Sequence, residues 1–219
     1  MSTLKNEVND NATRLSVYCP VGYHADPYLL SIVDTVVKEC SQFVESGTEA
    51  GSTIGYTARM YPHLDCHSAE TDKGTHELAA YNLSNHPNIN LYNQHSLDFM
   101  KELEPHNTPA LFWLDAHSHG WGCDLGEEVD IALRRWQSGY IFLDDFEVPG
   151  RSDFGFDWYD TFGKLNWETI VKDITPEMQE RITGLYYPDY IPPYGTRGWL
   201  LITYGDLPEY EMPEFVKKA

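Results

Sequence analysis

Short apolar runs recur along this chain, helix-length segments fill the intervals between them, and most of the runs stop on a carboxylate or a glycine turn. The runs QFVESG (42–47), LDCHSAE (64–70), INLYNQ (89–94), LFWLDA (111–116) and YIFLDDF (140–146) read as strands. Between them, 51–60, 75–85, 96–103 and 127–136 carry helical spacing, and an earlier helix opens at Pro27 and runs through YLLSIVDTVVKEC. Strands this apolar must be covered on both faces, which predicts a parallel sheet sandwiched by helices. In such a sheet the strand ends point at one crevice, and ligands bind there. Acids at Glu45, Glu70, Asp115, Asp144 and Asp145 therefore describe a pocket.

After Asp145 the rhythm breaks. The stretch 148–167 is rich in Gly, Asp and aromatics and reads as a cap or insert extending to 181, in which Trp158, Tyr159 and Trp167 are candidates for an apolar lid or for anchors of the loop on the core. ITGLYYP (182–188) and GWLLITYG (198–205) read as two final strands, 206–219 as a surface tail, and 1–26 as an irregular extension. With no internal repeat and no Gly/Ser linker, 1–219 is expected to form a single domain.

The formal net charge of −19, from 15 basic and 34 acidic residues, repels a duplex or an anionic membrane, so nucleic-acid and lipid-surface roles are not expected. No apolar run is long enough to span a bilayer, and the first residues lack the features of a signal peptide. The four cysteines (Cys19, Cys40, Cys66, Cys123) form no CxxC pair, and a cytoplasmic protein with reduced thiols is the expectation. The aromatic loop makes a homodimer one expected state.

The chemistry concentrates at the strand ends. Gly47 and Gly51 permit close backbone approach, and the helix that follows offers free N–H groups to an anion. Glu45 is placed to accept a hydrogen bond from an ammonium or amide. Glu70 lies where nucleoside-binding folds put a carboxylate for ribose hydroxyls. Ser96 is positioned to cap the next helix. Asp115, Asp144 and Asp145 would repel one another without a cation, and an oxygen-rich set suits Mg²⁺ first, with Mn²⁺ or Ca²⁺ as alternatives. His117 and His119 are the candidate general bases, His117 lying nearer the strand end.

Together ESGTEAGST (45–53), Glu70, QHS (94–96), LDAH (114–117) and LDDF (143–146) resemble the class I S-adenosylmethionine-dependent methyltransferases, and within them the metal-dependent O-methyltransferase branch. The resemblance spans roughly 27–205. It implies a Rossmann-like, doubly wound α/β sheet of seven mostly parallel strands with the last antiparallel and helices on both faces. It implies S-adenosylmethionine and a divalent metal as cofactors and a small-molecule acceptor. Glu45, Gly47, Thr48, Gly51 and Ser52 would surround the methionine part, Glu70 the ribose and Ser96 the adenine. Asp115 would line the cofactor and, with Asp144 and Asp145, hold the metal, while His117 takes the acceptor proton. Glu49 departs from the family, which often has glycine there, and sets a carboxylate against the cofactor's own.

Two other classes stay open on the sequence. DAH (115–117) is also a fragment of metallohydrolase sites, so Asp115, His117 and Asp144 would serve a metal-dependent hydrolase. Alternatively, a methyltransferase-like protein binds the cofactor and performs other chemistry, or none.

Overall fold

The computed structural model describes residues 20–116, 123–161, 163–193, 195–209 and 211–219. His117 and His119 therefore lie outside the described residues, as does Cys19.

The first helix, α1 (Pro27–Val36), starts where the sequence provides both a cap and a pre-set φ. The Asp26 carboxylate accepts the N–H groups of Tyr28 (2.9 Å) and Leu29 (3.3 Å), and Pro27 occupies the first turn. The alternation then follows as β1 (Gln42–Ser46), α2 (Ser52–Met60), β2 (Asp65–Ala69), α3 (Lys73–Asn82) and β3 (Ile89–Tyr92). It continues through α4 (Ser96–Glu102), β4 (Ala110–Leu114), α5 (Leu125–Arg135) and β5 (Gly139–Leu143). The insert holds a two-stranded hairpin, β6 (Trp158–Tyr159) and β7 (Gly163–Lys164), and two short helices, α6 (Trp167–Ile170) and α7 (Pro176–Gln179). The last strands are β8 (Ile182–Pro188), β9 (Leu200–Tyr204) and β10 (Val216–Lys218).

The main sheet has the order β3-β2-β1-β4-β5-β9-β8-β10. Strands β1 to β5 are parallel, while β9 runs antiparallel to both β5 and β8. Every residue of β1, β4, β5 and β9 is buried, which is why β4, β5 and β9 read as apolar runs rather than alternating ones, while β1 buries Gln42, Glu45 and Ser46 beside its apolar pair. α5 lays Leu125, Val129, Ala132 and Leu133 into the core. The indole N–H of buried Trp136 donates to the Gln42 carboxamide oxygen at 2.7 Å, so the amide at the foot of β1 is satisfied.

Two expectations change, and the insert takes one of its two expected roles. The sheet has eight strands, not seven, because residues assigned to a surface tail form β10 along β8. Strand β8 would otherwise leave an open edge, and its cover ends in Lys217 and Lys218, side chains that discourage further pairing. The insert is anchored on the core, for Phe154, Tyr159, Leu165, Ile170, Ile174 and Met178 are all buried. Of its lid candidates Tyr159 is core and Trp167 is half-buried, while Trp158 is 61% exposed. Finally, His95 rather than Ser96 caps α4: its Nδ1 accepts the Leu97 N–H at 3.4 Å, and Ser96 is the buried first helical residue. Among the described residues no helix is long and apolar enough to cross a membrane.

Candidate functional site

Strand order reverses between β1 and β4, and at the carboxyl end of that pair ligands collect in open α/β sheets. Gly47 follows β1 with φ +82°, and a Cβ there would lie 2.7 Å from the Asp115 carbonyl oxygen. Gly51, at φ +87°, would drive a Cβ to 2.6 Å from the Leu83 side chain. Gly47 is thus required by neighbouring backbone, and Gly51 by its left-handed φ. Between them Glu49 adopts φ +47°, a left-handed conformation that glycine enters freely and glutamate does not.

The acids of this edge have different surroundings. Glu45 is 2% exposed; Ser68 donates to it at 2.5 Å, and the Thr48 hydroxyl lies 2.6 Å from Ser68. Burial pushes the Glu45 carboxyl up to about 8, against the pull of Ser68 and of the Ile54 N–H in the first turn of α2. It is therefore a buried tie between β1, β2 and α2. Glu70, half-buried, accepts the Asp72 N–H at 2.9 Å and the Glu49 N–H at 3.1 Å, one on each oxygen. Ser52 opens α2 beside this turn.

Asp115 and Asp144 follow residues that are paired across β4 and β5 (Leu114 opposite Leu143), so they leave the sheet side by side. The Asp115 N–H bonds to the Ser46 carbonyl at 3.1 Å and the Asp144 N–H to the Leu114 carbonyl at 3.2 Å. Asp144 is 1% exposed, whereas Asp115 is half-buried. Asp145 has φ +53°, and its carboxylate accepts from the Arg197 guanidinium, which also bonds Asp157. Burial opposes the charge on Arg197, and the Asp145 and Asp157 carboxylates outweigh it.

The sequence reading missed His24. Tyr23, His24 and Ala25 form one left-handed turn, with φ of 54°, 53° and 55°. It brings His24 Nε2 to 2.5 Å from Asp144 Oδ2, with the side chain still 47% exposed. The Asp144 charge lifts the imidazole to about 9, against burial, with smaller contributions from Asp115 and Asp145. Among the described residues the ligand atoms of His24, Asp144 and Asp145 come within 4.8 Å of one another, and Asp115 is not part of that set. The available signal was Gly22 on one side and the Asp26–Pro27 helix start on the other, which together fix where a turn must sit. Arg197, distant in sequence, carried no comparable signal.

Compared by sequence, the chain matches no family profile and no curated protein. Its fold does have known counterparts. It is similar to a candidate caffeoyl-CoA O-methyltransferase from Staphylococcus aureus, with a TM-score of 0.56, 14% identity, and 82% of this chain and 84% of that one covered. It is also similar to TomG of Streptomyces achromogenes, an O-methyltransferase of tomaymycin synthesis solved with S-adenosylmethionine, at TM-score 0.54, 15% identity and coverages of 82% and 79%. A third likeness is to a SAM-dependent O-methyltransferase of Thermotoga maritima, at TM-score 0.52, 13% identity and coverages of 84% and 67%. The chain has the class I methyltransferase fold. At such identities the likeness carries architecture alone.

Proposed function

We propose that the chain is an S-adenosylmethionine-dependent methyltransferase that methylates an oxygen of a small molecule, assisted by a divalent cation. The observation that carries this reading is convergence: the Gly47–Gly51 turn, Glu70, Asp115 and Asp144 all leave strands at one edge, where the strand order reverses. The turn and the start of α2 offer N–H groups to the carboxylate of the cofactor's methionine part, with Thr48, Gly51 and Ser52 around it. Glu70 takes the ribose hydroxyls and Ser96 lies by the adenine. Glu45 supports the turn from beneath, through Ser68 and α2.

Asp115, Asp144 and Asp145 would hold the cation, and the donor chemistry suits one: these carboxylates leave the ends of adjacent strands together and offer the oxygen ligands that a hard divalent ion takes. Bound there, a divalent cation supplies Lewis-acid activation and orientation of an acceptor oxygen. The chain's own share is positional. Asp144 is buried and tied through its backbone to β4, and Asp115 is tied to β1, so the acceptor end of the site is set by the sheet itself. His117 is the proposed proton acceptor. The hydrolase reading gains no observation of its own, whereas the strand order favours methyl transfer.

Titration calorimetry with S-adenosylhomocysteine tests the cofactor half. Wild type should bind in the micromolar range, and Glu49→Gly should bind at least as tightly, since it relaxes a left-handed residue and removes a carboxylate beside Glu70. If neither protein binds, the reading is wrong.

A further inference from the structure

We propose that His24 is a metal ligand, and that its imidazole turns the carboxylate edge into a mixed nitrogen–oxygen centre that prefers Mn²⁺, Co²⁺ or Zn²⁺ over Mg²⁺. This rests on the reading of that edge as a divalent-metal site.

The argument starts from position. His24 Nε2 and the oxygens of Asp144 and Asp145 lie within 4.8 Å of one another, the one such group of three among the described residues. A surface histidine that merely neutralises an acid needs no special backbone, but this one sits in the middle of three consecutive left-handed residues, none of them glycine. Each such residue costs about 1–2 kcal/mol, so the turn stands only because its flanks hold it. On one side Tyr23 is buried edge-on against Trp113 (5.0 Å between ring centroids), with its hydroxyl 2.7 Å from Thr57. On the other, Asp26 caps α1 and accepts from the Tyr190 hydroxyl. Of the clamped turn's exposed residues, His24 and Ala25, only His24 carries a ligating side chain.

Charge gives the second support. Asp144 faces the His24 imidazole and Asp145 faces the Arg197 guanidinium. A divalent ion between Asp144 and Asp145 would neutralise both carboxylates, with the imidazole nitrogen as a further ligand. An imidazole nitrogen is a poor donor for Mg²⁺ and Ca²⁺ and a good one for the later first-row ions, so His24 decides selectivity rather than mere affinity.

The experiment is pulsed EPR of Mn²⁺ bound to the full-length protein, with Mn²⁺ and Mg²⁺ affinities measured by calorimetry. Wild type should show nitrogen modulation from a coordinated imidazole. His24→Asn, whose side chain tolerates a left-handed φ, should lose the modulation and bind Mn²⁺ about tenfold or more weakly, with little change for Mg²⁺. His24→Gln is the second variant if the first fails to fold. If wild type binds Mn²⁺ without nitrogen modulation, or the modulation survives in the variants, His24 is not a ligand. If Mn²⁺ binding is nevertheless lost in Asp144→Asn, the metal reading stands without His24. Absence of Mn²⁺ binding to wild type overturns both, while S-adenosylhomocysteine binding reports separately that the cofactor pocket is intact.

Discussion

At the scale of single residues, strand-end chemistry could be read ahead of the structure wherever one residue type answers one local demand. Gly47 and Gly51 are such cases, the first through the Asp115 backbone and the second through its left-handed φ. Glu45 was visible as an acid but not as a buried one, because burial depends on Ser68 and α2, which the local pattern does not encode. That burial has a measurable consequence. The folded-state carboxyl titrates at about 8 against an ordinary 4.5, so between these values the folded chain keeps a proton that the unfolded chain has released. Stability therefore falls as pH rises through that window, and the cost is fully present above it. Glu45→Gln keeps an acceptor for Ser68 and Ile54 but has nothing to ionise. Denaturant midpoints from pH 5 to 9 should show the variant gaining on wild type with rising pH, by up to a few kcal/mol at pH 9. Parallel curves for the two proteins would show that Glu45 is charged when folded.

At the scale of elements, the apolar runs predicted β1 to β5, β8 and β9 close to their observed ends, and β4, β5 and β9, covered on both faces, carry that mark on each residue. β10 was missed for the opposite reason: three residues, half-buried at most, are too few to show any period. Its effect is nonetheless specific. The Phe215 carbonyl accepts the Asp189 N–H at 2.8 Å, the Phe215 ring lies edge-on to Tyr28 at 5.0 Å, and the Ala219 N–H reaches the Leu185 carbonyl at 2.9 Å. Deleting residues 212–219 removes this partly buried ring, worth about 2 kcal/mol, and should lower the melting temperature by roughly 4–8 °C. It also uncovers the β8 edge, so light scattering on heating should rise earlier than in wild type. An unchanged melting curve would mean that β10 adds nothing to the stability of the sheet. His24 belongs to this scale too, because its place is decided by the anchored turn before α1 and not by its neighbours in sequence.

At the scale of the whole molecule, the fold followed from the order of elements, while the charge balance around the edge did not, since Arg197 and Asp157 come from segments that no spacing links to β5. The net charge of −19 still sets a global term. Two opposed effects respond to salt. Exposed ion pairs such as Lys73–Glu77, Arg134–Asp130 and Arg151–Asp153 weaken when screened, but each is worth about 0–1 kcal/mol at most. Repulsion among the excess carboxylates is also relieved by screening, and it acts over the whole surface while the screening length shrinks from about 30 Å at 0.01 M to about 8 Å at 0.15 M. With 34 acids against 15 bases, most carboxylates have no cationic partner to lose, so repulsion wins. Melting temperature should rise by several degrees between 10 and 150 mM NaCl, equally in KCl, with most of the gain made by the upper concentration. A fall over the same range would mean that the paired charges, few as they are, hold the molecule together more strongly than the unpaired ones push it apart.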